Sequence, residues 1–214
     1  MNKMCRTTIQ DGRSMIEMLG VLAIIGVLSV GGIAGYSKAM MKFKINKTID
    51  QISQISQNIR TLYARQRNYA SLTINGWSNY KILYKANLAP KEMFDGSGTN
   101  YTMTNAFGGE VWIQSSSKTN NDNGGDKAFT ISMHVPEEAC IELATQDWGS
   151  DTNSGLIAVG PGWVSNVHIG CSGDTSSGIA CPGGSEVSVP MPVDVAVDRC
   201  SCSSSMCHFA LKFY

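Results

Sequence analysis

The feature that most constrains this chain is an apolar segment close to its N-terminus. From Met18 to Ser37, twenty consecutive residues carry no charge, and none of them is proline. A helix rises about 1.5 Å per residue, so this run reaches roughly 30 Å, the thickness of the hydrocarbon core of a bilayer. The sequence therefore predicts a membrane-spanning helix over residues 14–37.

The segment ahead of the apolar run has the character of a leader peptide. Met1–Gly12 is short and polar and contains Lys3 and Arg6. An ordinary secretory signal is cut after its apolar stretch and loses it. Cleavage at Gly12 would instead leave the apolar run on the mature protein.

Glu17 is the unusual residue of the apolar segment. A carboxylate in a membrane span is costly unless it lies near the interface, is protonated or has a partner. In one interpretation Glu17 lies at the interface in the first helical turn, where the helix dipole favours a negative charge. In the other, it needs a cation from a second subunit.

The helix is predicted to continue well beyond the membrane. Polar residues alternate with an apolar stripe at spacings of three and four, and neither proline nor glycine occurs between Tyr36 and Ala70. We expect one helix from about Ser14 to Tyr69, assigned to residues 13–70, whose stripe packs on a C-terminal sheet. A free coiled coil is the alternative. The stripe consists of Ile45, Ile49, Ile52, Ile55, Ile59, Leu62 and Tyr63.

The rest of the chain, residues 71–214, is predicted to be a globular head of the α+β class. Partial alternation of apolar and polar residues indicates strands, and Pro136 followed by two glutamates indicates a short helix to Ala144. Loops rich in Gly, Ser and Asn separate these elements. The predicted strands are Glu110–Gln114, Lys127–Val135, Leu156–Val159, Trp163–Ile169 and His208–Tyr214, which we expect to form an antiparallel sheet laid on the helix.

The cysteines indicate an oxidising compartment. The chain has seven, and loss of the leader with Cys5 leaves an even set of six, which suits three disulfides. Six cysteines allow fifteen connectivities, so the sequence does not choose among them. A zinc site built from Cys200, Cys202, Cys207 and His208 is a weaker alternative, because exported thiols more often pair with one another.

Composition and local motifs do not indicate an enzyme. Seventeen basic residues balance seventeen acidic ones, so we expect no nucleic-acid partner. The sequence shows no catalytic motif, and we predict no metal and no cofactor. Asn120–Asp126 is interpreted as a solvated turn rather than a calcium loop, and His134 and His168 as ordinary sheet residues. The tryptophans are expected to be buried or half-buried: Trp77, Trp112, Trp148 and Trp163.

Two segments together resemble the signature of type IV prepilins: Gly12–Met18, followed by Ala23–Leu28. The resemblance implies that a dedicated peptidase cleaves between Gly12 and Arg13 and that the new amino terminus of Arg13 is methylated. It also implies that Glu17, then the fifth residue, assists assembly by meeting the amino group of a neighbouring subunit. Arg13 departs from the apolar residue usual at its position, and it lies four residues before Glu17, where it could pair with Glu17 in the same chain.

Three further segments are similar to the type IVb pilins, and most to the major pilin of conjugative thin pili. They are Asn105–Gly109, Ala139–Leu143 and Ser154–Ile157. The resemblance implies the type IV pilin fold and a disulfide between Cys140 and Cys200. Cys171–Cys181 and Cys202–Cys207 are then the expected remaining pairs.

The function implied by the resemblance is structural. We expect an inner-membrane precursor that meets the prepilin peptidase and the inner-membrane pilus assembly machinery. It then polymerises with its own copies into an extracellular pilus for adhesion or conjugation. The alternatives are a minor pilin or tip adhesin, and a pseudopilin of a type II secretion system.

Overall fold

The computed structural model describes residues 15–66, 68–97, 100–118, 125–149, 154–162, 167–168, 172–173, 179–181, 188–202 and 204–214. The chain divides into two compact units, Met1–Lys42 and Phe43–Tyr214. The predicted leader, with Gly12 and Arg13, lies outside the described residues.

The helices are α1 (Met15–Tyr63), α2 (Tyr80–Lys85), α3 (Glu137–Thr145) and α4 (Val193–Arg199). The strands are β1 (Thr73–Ile74), β2 (Trp77–Ser78), β3 (Phe94–Ser97), β4 (Asn100–Met103), β5 (Val111–Ser116), β6 (Ala128–Val135), β7 (Leu156–Pro161), β8 (Val167–His168), β9 (Ser172–Gly173) and β10 (Cys207–Phe213).

Residues 43–63 of α1 belong to the second unit and carry its apolar stripe. Five of the seven predicted stripe residues are buried, whereas Ile49 is half-buried and Leu62 is 46% exposed. The buried members are Ile45, Ile52, Ile55, Ile59 and Tyr63, and Thr48 and Gln51 are buried beside them. Burial of the stripe within the head unit agrees with the predicted packing and not with a free coiled coil.

The helix ends at Tyr63, so the prediction that it continues to Tyr69 was wrong. After Tyr63 the chain turns, and the backbone N–H of Tyr69 donates to the carbonyl oxygen of Asp126 at 2.7 Å. The ring of Tyr69 then packs between Tyr63 at 5.3 Å and Phe129 at 5.0 Å. These contacts with distant residues end the helix where no proline or glycine marks its end.

The main sheet has four strands in the order β5-β6-β10-β7, and every neighbouring pair is antiparallel. The last strand of the chain, β10, therefore lies in the middle of the sheet. Both faces are covered, since every residue of β6 except His134 is buried. One cluster of buried residues contains Ala128, Ile157, Ala158, Ile179, Cys181 and Ala210.

The predicted α+β fold is confirmed, and most of its elements lie close to their predicted bounds. Four predicted strands correspond to β5, β6, β7 and β10, and the predicted short helix corresponds to α3. Of the predicted strand Trp163–Ile169, Val167 and His168 form β8, and its other residues lie outside the described residues.

The expectation that the tryptophans are buried was wrong for Trp77, which is 69% exposed at the start of β2. Trp112 and Trp148 are half-buried, and the indole N–H of Trp148 donates to the carbonyl oxygen of Leu143 at 2.8 Å. Trp163 lies outside the described residues.

Candidate assembly helix and disulfide-bonded head

The first unit presents a helix segment whose apolar side chains are exposed. Met15, Ile16, Val27 and Val30 are 87%, 75%, 75% and 72% exposed, and every residue from Met15 to Ala39 is classed as exposed. Among the described residues, α1 is the helix that is long and apolar enough to cross a membrane. An apolar surface of this size is stable in a bilayer or against other apolar helices, and not in water.

Glu17 lies in the first turn of α1 and is the one charged residue between Met15 and Ser37. The positive end of the helix dipole favours a carboxylate at this place. Gly12 and Arg13 lie outside the described residues, so cleavage between them, methylation of Arg13 and its pairing with Glu17 stay predictions.

Polar contacts fix residues 43–63 of α1 to the rest of the head. Nη1 of Arg60 donates to the carbonyl oxygen of Ser154 at 2.8 Å. The next residue, Gly155, has a φ of +83°, and a Cβ there would lie 2.1 Å from Nη2 of Arg60. Glycine is therefore required on two grounds, its left-handed backbone and the close approach of the guanidinium.

A second polar contact links Lys47 of α1 to Glu92. Their Nζ and Oε1 atoms lie 3.0 Å apart. Hydrogen bonding to Lys47 and its positive charge lower the pKa of Glu92. The pair is exposed, so it contributes little to the stability of the fold.

Two disulfides are present near the C-terminal strand. Cys140 of α3 is bonded to Cys200, which directly follows α4, and both residues are fully buried. Cys202 is bonded to Cys207, the first residue of β10. Both agree with the expected pairs. The predicted Cys171–Cys181 bond involves Cys171, which lies outside the described residues, and Cys181 is disulfide-bonded.

The disulfides exclude the zinc alternative, because a sulfur in a disulfide is not a thiolate ligand. The carbonyl oxygen of Cys200 lies 3.2 Å from Sγ of Cys202 and 3.1 Å from Sγ of Cys207. Within the described part of the chain, no group of three or more His, Cys, Asp or Glu side chains is placed to hold a metal.

The turn before β5 explains one of the type IVb-like segments. Asn105 is 6% exposed, and its Oδ1 accepts the backbone N–H groups of Phe107 at 2.9 Å and Gly109 at 3.1 Å. Its Nδ2 donates to the carbonyl oxygen of His134 at 2.8 Å. A Cβ at Gly109 would lie 1.9 Å from that same oxygen, so the turn needs glycine there to pass close to β6.

Side chains cover the outer edge of β5. Oγ of Ser78 accepts the backbone N–H of Ile113 at 2.9 Å, and Oγ1 of Thr73 accepts that of Ser115 at 2.8 Å. The opposite edge strand, β7, exchanges two backbone hydrogen bonds with Ala180 through Val159, at 2.9 and 2.8 Å. Both edges are therefore engaged, which reduces sheet-to-sheet association with other chains.

Trp112, His134 and His208 form a ring cluster across three strands. The ring centroid of His134 lies 4.9 Å from that of Trp112 and 5.8 Å from that of His208. Nδ1 of His208 lies 2.9 Å from the carbonyl oxygen of Gly162, to which it donates as Nδ1–H. Burial is the main cause of the lowered pKa of His208; the charge of nearby His134 also lowers it, and the bond to Gly162 opposes the shift.

The head exposes one apolar patch beside β5, called here the hairpin patch, at the β1–β2 hairpin and α2. Ile74 and Trp77 are 56% and 69% exposed. Beside Ile74 lies a groove of about 530 Å³ whose lining includes Ile82 and the two lysines of α2, Lys81 and Lys85. This patch is apolar with a basic border.

A second apolar patch, called here the α4 patch, lies on α4. Val193 and Val197 are 64% and 47% exposed and occupy one side of the helix, four residues apart. Asp194 and Asp198, also exposed, follow them on the adjoining side. Since α4 packs on α3, and α3 contacts β7 and β10, this acidic-bordered patch lies away from the edge that carries the hairpin patch.

Sequence reasoning missed both patches. A signal for α2 was present, since the side chain of Asn79 caps the helix by accepting the N–H of Ile82. A signal for α4 was present in Pro192 followed by Asp194 in the first turn. No local signal distinguishes exposed Trp77 from a buried tryptophan.

A long helix with an exposed apolar N-terminal half, followed in the chain by a disulfide-bonded head with an antiparallel sheet, defines the class of type IV pilins. Residues 38–177 match the family model described as Bundlin. The match covers more than half of the chain, and the protein therefore belongs to the Bundlin family, within the type IVb pilins.

Two relatives agree with this assignment. The chain is 27% identical over 149 residues to the major structural subunit of bundle-forming pilus of Escherichia coli O127:H6, covering 70% of this chain and 71% of that protein. The protein of the same description from Escherichia coli O111:H- matches equally.

Two crystal structures are similar in fold. TcpA, a type IV pilin from the Vibrio cholerae El Tor biotype, superposes with a TM-score of 0.51 at 15% identity, covering 80% of this chain and 99% of TcpA. The type IV b pilin from Salmonella typhi gives a TM-score of 0.47 at 16% identity, covering 78% of this chain and 97% of that one.

Proposed function

We propose that this protein is a major structural subunit of a type IVb pilus and polymerises through the first half of α1. The observation that carries the proposal is the exposed apolar helix with Glu17 in its first turn. Before assembly this segment spans the inner membrane, and afterwards it is buried among the same segments of other copies. The protein is thus a membrane-held precursor that becomes part of an extracellular filament.

The burial available to this segment is large. Twelve large apolar side chains between Met15 and Ile33 are at least 49% exposed. At about 1.5–3 kcal/mol for full burial of each, their removal from water is worth on the order of 20 kcal/mol per subunit. A bilayer and a filament core offer nearly the same gain, so transfer between them has only a small net hydrophobic term, and polar groups set the direction and register.

The proposed polar groups are Glu17 and the amino terminus created by cleavage between Gly12 and Arg13. The prepilin peptidase makes this cut and methylates Arg13, and the inner-membrane assembly machinery then adds the subunit to the filament. Glu17 neutralises the amino terminus of a neighbouring copy. The side chain of Arg13, four residues before Glu17, is a competing partner within the chain.

The proposal is tested first by the mass of the chain in filaments sheared from cells. The expected species begins at Arg13, carries one methyl group and gains six hydrogens on reduction, two for each of three disulfides. A chain found only in membranes with residues 1–12 attached refutes the processing. Abundance separates the roles: a minor pilin or tip adhesin is a trace component, and a type II secretion pseudopilin gives no sheared filament.

Glu17→Gln tests the assembly step. Loss of one partner of a buried ion pair costs about 3–5 kcal/mol, more than about a hundredfold in the equilibrium for adding a subunit. The variant should be cleaved normally, remain in the membrane and give no sheared filament. Glu137→Gln, in the first turn of α3, is the matched control. Wild-type amounts of filament from Glu17→Gln would refute the role, and increased assembly by Arg13→Met would support the competing intrachain pair.

The two patches of the head support contacts between copies. A helical filament needs an interface between two different surfaces of the subunit, which repeats without closing. The hairpin patch is apolar with a basic border and the α4 patch is apolar with an acidic border, so the α4 patch of one copy suits the hairpin patch of the next. Electrostatic complementarity of this kind fixes register more than it adds affinity.

A charge exchange tests this contact. Lys81→Glu with Lys85→Glu should make sheared filaments shorter and more sensitive to detergent, and Asp194→Lys with Asp198→Lys should do the same. All four changes together should restore wild-type length. Unaltered filaments from either pair alone, or failure of the combination while the head remains folded, would contradict the contact.

The proposed cellular role of the filament rests on the relatives of the chain. The Escherichia coli relatives form a bundle-forming pilus, which favours contact between filaments or with surfaces, and conjugation is the alternative. Mating and surface-binding assays on a strain that lacks this subunit separate the two.

A further inference from the structure

We infer that the head domain requires a thiol–disulfide exchange catalyst to reach its native pairing, because Cys140–Cys200 joins cysteines that are not consecutive in the sequence. The bond spans a separation of 60 residues, and Cys171 and Cys181 lie between its ends. An oxidant that pairs cysteines as they appear joins Cys140 to Cys171 first. The partner is therefore a protein that breaks and remakes disulfides, in addition to one that supplies them.

The topology of the sheet prevents folding from selecting Cys200 early. The last strand, β10, lies between β6 and β7 and pairs with both. Until β10 is in place the two halves of the sheet have no common strand, and α3, which contacts both β7 and β10, lacks part of its support. Native structure cannot guide Cys140 until nearly the whole chain is present.

Kinetics and chain entropy both favour the wrong partner. At synthesis rates of about 5–20 residues per second, Cys200 follows Cys171 by about 2–6 s. Closing the shorter loop from Cys140 to Cys171, half the length of the native one, is also favoured by about 0.6 kcal/mol. Cys202 and Cys207, by contrast, are consecutive and only five residues apart, so their bond forms without rearrangement.

The exchange must take place before the head folds, since Cys140 and Cys200 are both 0% exposed in the native state. Starting from Cys140–Cys171 and Cys181–Cys200, a thiolate of the catalyst attacks the sulfur of Cys140 and releases Cys171 as a thiolate. Cys171 attacks Cys181 and releases Cys200. Cys200 then attacks Cys140 and releases the catalyst thiolate. Two disulfides are broken and two are formed, so no net oxidant or reductant is consumed.

The test uses the purified full-length chain with Cys5→Ser in every variant, so that the leader thiol does not interfere. Reduced, denatured protein is returned to detergent micelles with glutathione disulfide as the only oxidant, with or without protein disulfide isomerase, and the bonds are mapped by peptide mass spectrometry. The informative variant is C171S/C181S, in which Cys140 and Cys200 become consecutive and the native pairing needs no exchange.

Without isomerase, the unmodified set of six should give about fivefold less of the fully native pairing than C171S/C181S, since six cysteines allow fifteen pairings and four allow three. Isomerase should raise the first yield by a clearly larger factor than the second. C202S/C207S keeps the intervening cysteines and should remain dependent on isomerase, even if C171S/C181S is unstable. Equal yields from the six-cysteine chain with and without isomerase, or independence of C202S/C207S, would overturn the inference. No step requires polymerisation, so its failure leaves the pilus proposal untouched.

Discussion

Replacement of Asn105 by alanine is expected to destabilise the head more than the same replacement of an exposed asparagine. The substitution removes three hydrogen bonds, to the N–H groups of Phe107 and Gly109 and to the carbonyl oxygen of His134. A typical bond contributes about 1 kcal/mol net, and a buried group left without a partner costs about 1–3 kcal/mol. Gly109 is buried while Phe107 is half-buried, so we expect a total loss of about 2–4 kcal/mol.

The loss is measurable by equilibrium unfolding of the oxidised full-length chain in detergent micelles, followed by tryptophan fluorescence. With a slope of about 2 kcal/mol per molar urea, within the usual range for small proteins, the midpoint should fall by about 1–2 M. Asn105→Asp keeps two acceptor contacts but places a carboxylate oxygen against the carbonyl of His134, so it should not restore stability.

Asn100→Ala is the matched control, because Asn100 is exposed on β4. Surface changes of this kind usually alter stability by less than about 0.5 kcal/mol. If Asn105→Ala falls within that same range, the turn is not held by its side chain and the reasoning is refuted.

Three further predictions concern the head. Gly155→Ala should lower stability by about 1–2 kcal/mol, because alanine is strained at positive φ and its Cβ displaces the guanidinium of Arg60; urea unfolding measures the loss. Ser78→Ala should cost about 1–3 kcal/mol by leaving a buried strand N–H without its acceptor, and light scattering should detect association through the uncovered edge of β5. Because the pKa of His208 is lowered in the folded state, its contribution to stability is complete above its unfolded pKa near 6.5 and is lost as pH falls through its folded pKa. The free energy of unfolding should therefore decline below about pH 6.5, and His208→Gln should flatten that decline.

Each of the three has a contrary result. Wild-type stability of Gly155→Ala would show that Arg60 can move without cost. A monomeric and equally stable Ser78→Ala would show that another group satisfies the edge. If the stability of His208→Gln depends on pH as that of the wild type does, the acid sensitivity arises from another group.

The sequence was most informative where the pattern is long. The uncharged run and the stripe of isoleucines predict α1 because many residues repeat one spacing, and alternation predicts β5, β6, β7 and β10. The predicted end of α1 was six residues too late. The chain turns after Tyr63, and Tyr69 packs on Tyr63 and on Phe129, which is distant in sequence. Local pattern contains no such information.

The site was predictable only in part. The pair Cys140–Cys200 came from resemblance to type IVb pilins, since spacing alone leaves every connectivity open. The exposure of Trp77 and of the valines on α4 depends on how short helices and hairpins meet the sheet. Single contacts fix those orientations, such as the hydrogen bond from the backbone N–H of Ile113 to Oγ of Ser78. The spacing of apolar residues in the sequence does not predict such contacts.

The covered edges of the sheet have a consequence for how such a protein can vary. Because Ser78, Thr73 and Ala180 already use hydrogen-bonding groups of the edge strands, contacts of the head with other molecules depend on its side chains more than on shared backbone hydrogen bonds. Where contacts are made by side chains, the residues of a surface can change without a change in the fold of the protein. The exposed residues of the head can therefore diversify while the register of its strands is kept.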